Sequence, residues 1–231
     1  NEITLGDSNI TKFRIPGIDF VLKDNGGTPT QGHVLTVDSN GEASFEAASG
    51  GGGGLSSDAQ GNTVGGSNAG DSFSGTDAQY NTLIGYKAGN GIEKGIRNTV
   101  LGYEALKDGT NISYNVAIGY RALYTLNETS HPAGGQNVAI GDMAGFDMTS
   151  ATHNVLMGPG AANNLTNGGS NVVIGSYAGS QLTTGDTNII IGTSAQPSSS
   201  TVSNEITLGG SSITSLRCNV QTISSLSDAR D

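Results

Sequence analysis

NTVLGYEAL at residues 98–106 is followed by NVAIGYRAL at residues 115–123. The same grammar recurs at NTVGGSNAG (62–70), NTLIGYKAG (81–89), NVAIGDMAG (137–145), NVLMGPGAA (154–162), NVVIGSYAG (171–179) and NIIIGTSAQ (188–196). Successive asparagines lie 19, 17, 17, 22, 17, 17 and 17 residues apart, so these glycines are rungs of a ladder rather than one nucleotide-binding loop. Each Asn precedes a three-residue run enriched in Val, Ile and Leu, which is too short for a helix and is stopped by Gly. An Ala follows three residues after that Gly in every copy. The repeating triplet is Asn115, Gly119 and Ala122, then Asn137, Gly141 and Ala144, and again Asn171, Gly175 and Ala178.

These spacings predict one strand and one tight corner per coil. A single coil cannot bury its few apolar residues, whereas stacked coils bury them in a continuous thin core. The fold class expected is all-β, a parallel β-solenoid of about eight 17-residue coils preceded by a small β connector. Side chains alternate along a strand, so Val116 and Ile118 share one face and Asn115 and Ala117 the other. Here Val116 and Ile118 are expected to face the core. Leu83, Val100, Leu156, Val173 and Ile190 would then face outward as an exposed apolar ladder, which calls for a covering partner and predicts a homotrimer.

Composition agrees with many short strands joined by turns. Only 34% of the chain is hydrophobic and Trp is absent, too little for an ordinary globular core, while 37 glycines supply turns. The net charge is −10 and no Lys or Arg occurs between Ala122 and Leu216, which argues against nucleic acid as a partner. Cys218 stands alone, so no disulfide framework or cysteine-rich zinc site is expected. No apolar run approaches the ~20 residues of a membrane-spanning helix, so no membrane insertion is expected. No cofactor or metal is expected: His131 and His153 lack a ligand-spaced partner. The chain is not expected to be an enzyme, since Asp142, Asp147 and Asp186 are scattered rather than paired at a cleft. An ice-binding Thr ladder is disfavoured because Thr63, Thr82 and Thr99 give way to Val116 and its successors.

NEITLGDSNITKFR opens the chain and NEITLGGSSITSLR recurs at 204–217, with ten of fourteen positions identical. The first copy reads as the closing segment of a preceding stack, residues 1–17. Residues 18–49 read as a β connector, in which HVLTV and EASFEA alternate like a hairpin. Residues 50–61 are a Gly-rich joint, residues 62–203 the repeat stack, residues 204–226 the second closing segment, and residues 227–231 a junction. No Lys-Ser/Thr follows Gly50–Gly54, so that run is not a phosphate loop.

The NVAIG..A repeat resembles the head repeat of trimeric autotransporter adhesins over residues 62–209. That resemblance implies a trimer of left-handed parallel β-rolls. GHVLTVDSNGEASF resembles connectors of phage tail fibres, and TISSLSDARD resembles the start of an endosialidase-type intramolecular chaperone. In that family a Ser-Asp bond is cut, which maps here to Ser227 and Asp228, with Arg230 also matching. Together these resemblances imply a structural tail-fibre protein of a tailed bacteriophage, located in the virion and used in host attachment. Its expected partners are two further copies, other tail or virion proteins, and a host cell-surface glycan or protein. The alternative is the head of a bacterial trimeric adhesin. Candidate receptor surfaces are Tyr86, Tyr103 and Tyr120, which fall at one position in three successive coils, and the loop of the 22-residue coil around His131.

Overall fold

A computed structural model describes residues 55–127, 135–215 and 217, together with the backbone of four strands nearer the N-terminus. The chain divides into two compact units, Asn1–Gly52 and Gly53–Asp231. In the first, β1 (Lys12–Ile15), β2 (Phe20–Lys23), β3 (His33–Val37) and β4 (Glu42–Ala47) form a sheet of order β1-β2-β4-β3. The hairpin pattern of HVLTV and EASFEA is realised as antiparallel pairing, with Leu35 opposite Phe45. The β1–β2 pair joins residues on both sides of position 17, so this sheet runs across the limit between closing segment and connector.

The second unit is a parallel β-solenoid. After the short antiparallel β5 (Ser56–Ser57), nine strands stack in chain order: β6 (Thr63–Gly65), β7 (Thr82–Ile84), β8 (Thr99–Leu101), β9 (Val116–Ile118), β10 (Val138–Ile140), β11 (Val155–Met157), β12 (Val172–Ile174), β13 (Ile189–Ile191) and β14 (Ile206–Leu208). Every rung keeps the register read from the sequence; Val116 pairs with Val138, and Val138 with Val155. The second closing segment contributes a ninth rung, because Ile206 pairs with Ile189.

The alternation along each strand is as expected, but its sense is reversed. The second residue after Asn points inward: Leu83, Val100, Ala117, Ala139, Leu156, Val173 and Ile190 are all fully buried. The first and third residues, such as Val116 and Ile118, lie on the outer face of the sheet. The cause is the asparagine. Its amide is buried in every coil from Asn62 to Asn188, and a residue two positions along a strand must share its side.

The core is two or three side chains wide. The strand's inward residue meets the corner alanines Ala88, Ala105, Ala122, Ala144, Ala161, Ala178 and Ala195, and an opposite wall of Ile92, Leu126, Met148, Leu165 and Leu182. Each buried Leu or Ile contributes ~1.5–3 kcal/mol. Where the wall lacks a side chain, at Gly109, Ile112 fills the space: a Cβ on Gly109 would collide with the Ile112 side chain. Small and large residues exchange places in the same way at Leu83 and Gly89, where a Cβ on the glycine would lie 2.9 Å from a Leu83 methyl.

Candidate functional site

The solenoid presents three candidate surfaces, two built by the repeat and one where it breaks. The first is the outer sheet face. The first residue after the repeat Asn, or after Glu205 in the last rung, forms one column (Thr82, Thr99, Val116, Val138, Val155, Val172, Ile189, Ile206), and the third forms another (Ile84, Leu101, Ile118, Ile140, Met157, Ile174, Ile191, Leu208). All are at least partly exposed, Leu101 at 46% and Ile206 at 67%. The apolar ladder predicted from the sequence therefore exists, but on these residues. Leu83, Val100, Leu156, Val173 and Ile190, assigned to it by the sequence reading, lie in the core instead.

The second surface carries the tyrosines. Tyr86, Tyr103 and Tyr120 each follow the corner glycine by one residue, so the coil spacing sets them one above another. Their rings stack with centroids 5.1 and 5.4 Å apart and planes within 20°. Tyr103 thus has a neighbouring ring on both faces. A sugar docks on an open ring face, and this stripe offers edges and hydroxyls instead, with open faces only at its two ends. Cations lie at those ends: Lys87 Nζ is 5.2 Å from the Tyr86 ring centroid, and the Arg121 guanidinium is 5.1 Å from that of Tyr120.

Arg121 also donates from Nε to Glu104 Oε2 at 2.9 Å. Its guanidinium pKa is raised, first by that hydrogen bond. Beside it Tyr124 stacks on Phe146 at 5.2 Å and accepts a 2.8 Å hydrogen bond from Lys107 Nζ. That bond is the leading cause of a raised Lys107 pKa. These cations are committed to holding aromatic rings in register between coils.

The third surface was not flagged by residue pattern. A cleft of about 290 Å³ lies between Ala59, Gln60 and Gly61 on one side and Thr76, Gln79 and Tyr80 on the other. Its only advance signal is the first Asn-to-Asn step, 19 residues instead of 17.

The repeat residues themselves are structural. Asn115 donates its backbone N–H to Asn98 Oδ1 at 3.0 Å and its side-chain amide to the same oxygen at 3.2 Å. Its own Oδ1 accepts the backbone and side-chain N–H groups of Asn137. Asn137 and Asn171 repeat this arrangement with the neighbouring coils. Gly119, Gly141 and Gly175 have φ of 130°, 140° and 134°. Ala122, Ala144 and Ala178 are buried at the corner. His131, Ser227 and Asp228 lie outside the described residues. Among the described residues no three His, Cys, Asp or Glu side chains gather as metal ligands, and no helix is long and apolar enough to cross a membrane. No protein-family model, no curated protein and no solved structure matches the chain.

Proposed function

We propose that the chain is a section of a trimeric tail fibre of a tailed bacteriophage, a structural protein of the virion used in host attachment. The supporting observation is the outer sheet face. One column of Ile, Leu and Met runs along eight rungs from Ile84 to Leu208, and beside it a column that opens with Thr82 and Thr99 continues as Val and Ile from Val116 to Ile206. At ~4.8 Å per rung and a width of ~10 Å, the face measures about 400 Å², as large as the biggest apolar patches on typical monomers. A second copy of this chain is its natural partner, because only another ladder with the same rung spacing meets it residue for residue. Three copies about one axis close the face into a shared core and leave no open apolar surface. The resemblance of GHVLTVDSNGEASF and TISSLSDARD to fibre connectors and to a chaperone junction favours a phage fibre over a bacterial adhesin head.

Sedimentation velocity tests the assembly. The expected mass is three times the 23.3 kDa chain, and a stable single-chain species overturns the reading. Attachment is tested by adding the purified protein to host cells before the phage. A fibre section that contacts the receptor lowers adsorption, and undiminished adsorption limits this section to a shaft.

A further inference from the structure

We infer that the cleft between Gln60 and Tyr80 is a binding site for a single neutral pyranose unit of a cell-surface glycan. The cleft lies where the repeat breaks. The two extra residues of the first coil fall between Phe73 and Asn81, where SGTDAQY replaces the five-residue EKGIR of the next coil. They form a turn in which the Asp77 N–H donates to Ser74 O at 3.2 Å and Gly75 has φ of 56°, and this turn carries Thr76 to the rim of the cleft. The opposite side opens because Gly61 stands in the column that later coils fill with Tyr80, Arg97 and Tyr114. Gly61 has φ of 75°, and a Cβ there would lie 3.1 Å from the Tyr80 ring, so a side chain at this position would crowd the cleft wall.

The lining is carbohydrate chemistry. Gln60, Thr76, Gln79 and Tyr80 supply amides, a hydroxyl and a phenol beside one aromatic ring. Among the described residues the side-chain amide of Gln60, Oε1 of Gln79 and the hydroxyls of Thr76 and Tyr80 have no protein hydrogen-bond partner. A sugar hydroxyl both donates and accepts, and it pairs with either end of such groups. None of the six lining residues is charged, which suits a neutral ligand, although the Arg97 guanidinium lies 5.6 Å from the Tyr80 ring centroid; the lining holds no acid–base pair to cleave a ligand. The volume, about 290 Å³, sits at the lower limit of ligand pockets and matches a single ring.

The walls are held in place before a ligand arrives. Gln79 Nε2 donates to Thr76 O at 2.9 Å, and the Tyr80 N–H donates to Gln60 O at 3.2 Å. The Asp58 carboxylate accepts the Gln60 and Asn62 N–H groups at 3.0 and 2.8 Å. A fixed site loses less conformational freedom on binding. Host attachment, as proposed above, is what would give this site its glycan.

The test is saturation-transfer NMR on the soluble full chain, with the methyl α-pyranosides of glucose, galactose, mannose and N-acetylglucosamine as probes. At least one is expected to receive saturation. The signal should fall to background in Thr76→Arg, which fills the cleft from an exposed turn, and in Gln60→Ala. It should persist in Tyr103→Ala. Thermal melting of each variant separates loss of the site from loss of the fold, and Gln60→Ala decides if Thr76→Arg does not fold. Absence of transfer to every probe, or transfer unchanged in Thr76→Arg and Gln60→Ala, overturns the site. A monomer in sedimentation overturns the fibre while leaving this result standing; a trimer without transfer overturns the site alone.

Discussion

Asn115 is a buried amide with every hydrogen-bonding valence used. Its Oδ1 accepts two bonds from Asn137, and its Nδ2 donates to Asn98 Oδ1 and to Ser113 O. Replacement by Asp keeps size and acceptors but removes the donors and buries a charge. Asn115→Ala strands two donors of Asn137. Either change is expected to destabilise the fold by about 2–4 kcal/mol, read by denaturant unfolding; a loss near zero would show that the ladder is incidental. Gly119 is constrained twice. Its φ is 130°, and a Cβ there would lie 2.6 Å from the carbonyl carbon of Gly141 in the next coil. Gly119→Ala should therefore cost at least about 2 kcal/mol, whereas Gly75→Ala, with open space around its Cβ, should cost only about 1 kcal/mol from its left-handed backbone. Equal melting of the two variants would remove the close-approach argument.

At the scale of the coil, the ladder needs ends. Asp58 supplies the first: its carboxylate takes the place of a preceding asparagine by accepting Asn62 N–H and Nδ2, both at 2.8 Å. Glu205 supplies the last. Its N–H donates to Asn188 Oδ1 at 2.9 Å, but a carboxylate has no donor to extend the ladder, and it turns instead to the Ser198 N–H at 2.8 Å. Partial desolvation raises the Asp58 pKa, but the hydrogen bonds from Asn62 and Gln60 outweigh it, and the net position is below 3.8. The Ser198 hydrogen bond places Glu205 below 4.5. A depressed carboxylate stabilises the fold above its unfolded pKa and loses that contribution as pH falls through the lower folded value. Acid should therefore loosen both ends first while the amide ladder between them, which does not titrate, persists. Hydrogen exchange at Asn62 and Glu205 should accelerate below pH ~4 before that at Asn115 does. Uniform acceleration would contradict this. The coil period, strand positions and register were legible because apolar runs and glycines repeat. The inward side was not, because Val, Ile and Leu occupy both faces, so hydrophobicity alone could not choose. The deciding signals were an Asn in every coil and the small Ala117 and Ala139 beside it, which mark the crowded interior. The cleft at Gln60 escaped for the opposite reason: it arises where the period fails, and a repeat reading attends to what recurs.

For the whole molecule, the reversed alternation separates two predictions that one face would have confounded. Core and outer-face residues alternate on the same three-residue strands, so a charge can be moved by one position and its effect compared. Leu156 is fully buried against Gly145 and its neighbours, whereas Met157, the next residue, is 39% exposed on the outer sheet face. Leu156→Glu places an unpaired charge in the core and is expected to prevent folding of its coil. Met157→Glu leaves the single-chain solenoid intact, because its side chain meets solvent there. In a trimer closed by this face, however, it brings three carboxylates together in a desolvated interior, where none has a cation to pair with. Among the described residues no Lys or Arg lies within the C-terminal five rungs, so no rearrangement within them supplies one. The pair Leu101→Glu and Ile174→Glu extends the same test to distant rungs. All three outer-face variants should keep the β-rich circular dichroism of the parent and sediment as single chains at neutral pH. Lowering the pH toward the carboxylate range should restore the larger species, since protonation removes the repulsion. Outer-face variants that remain trimeric would place the assembly interface elsewhere, and variants that unfold would mean that the solenoid cannot stand without its partners.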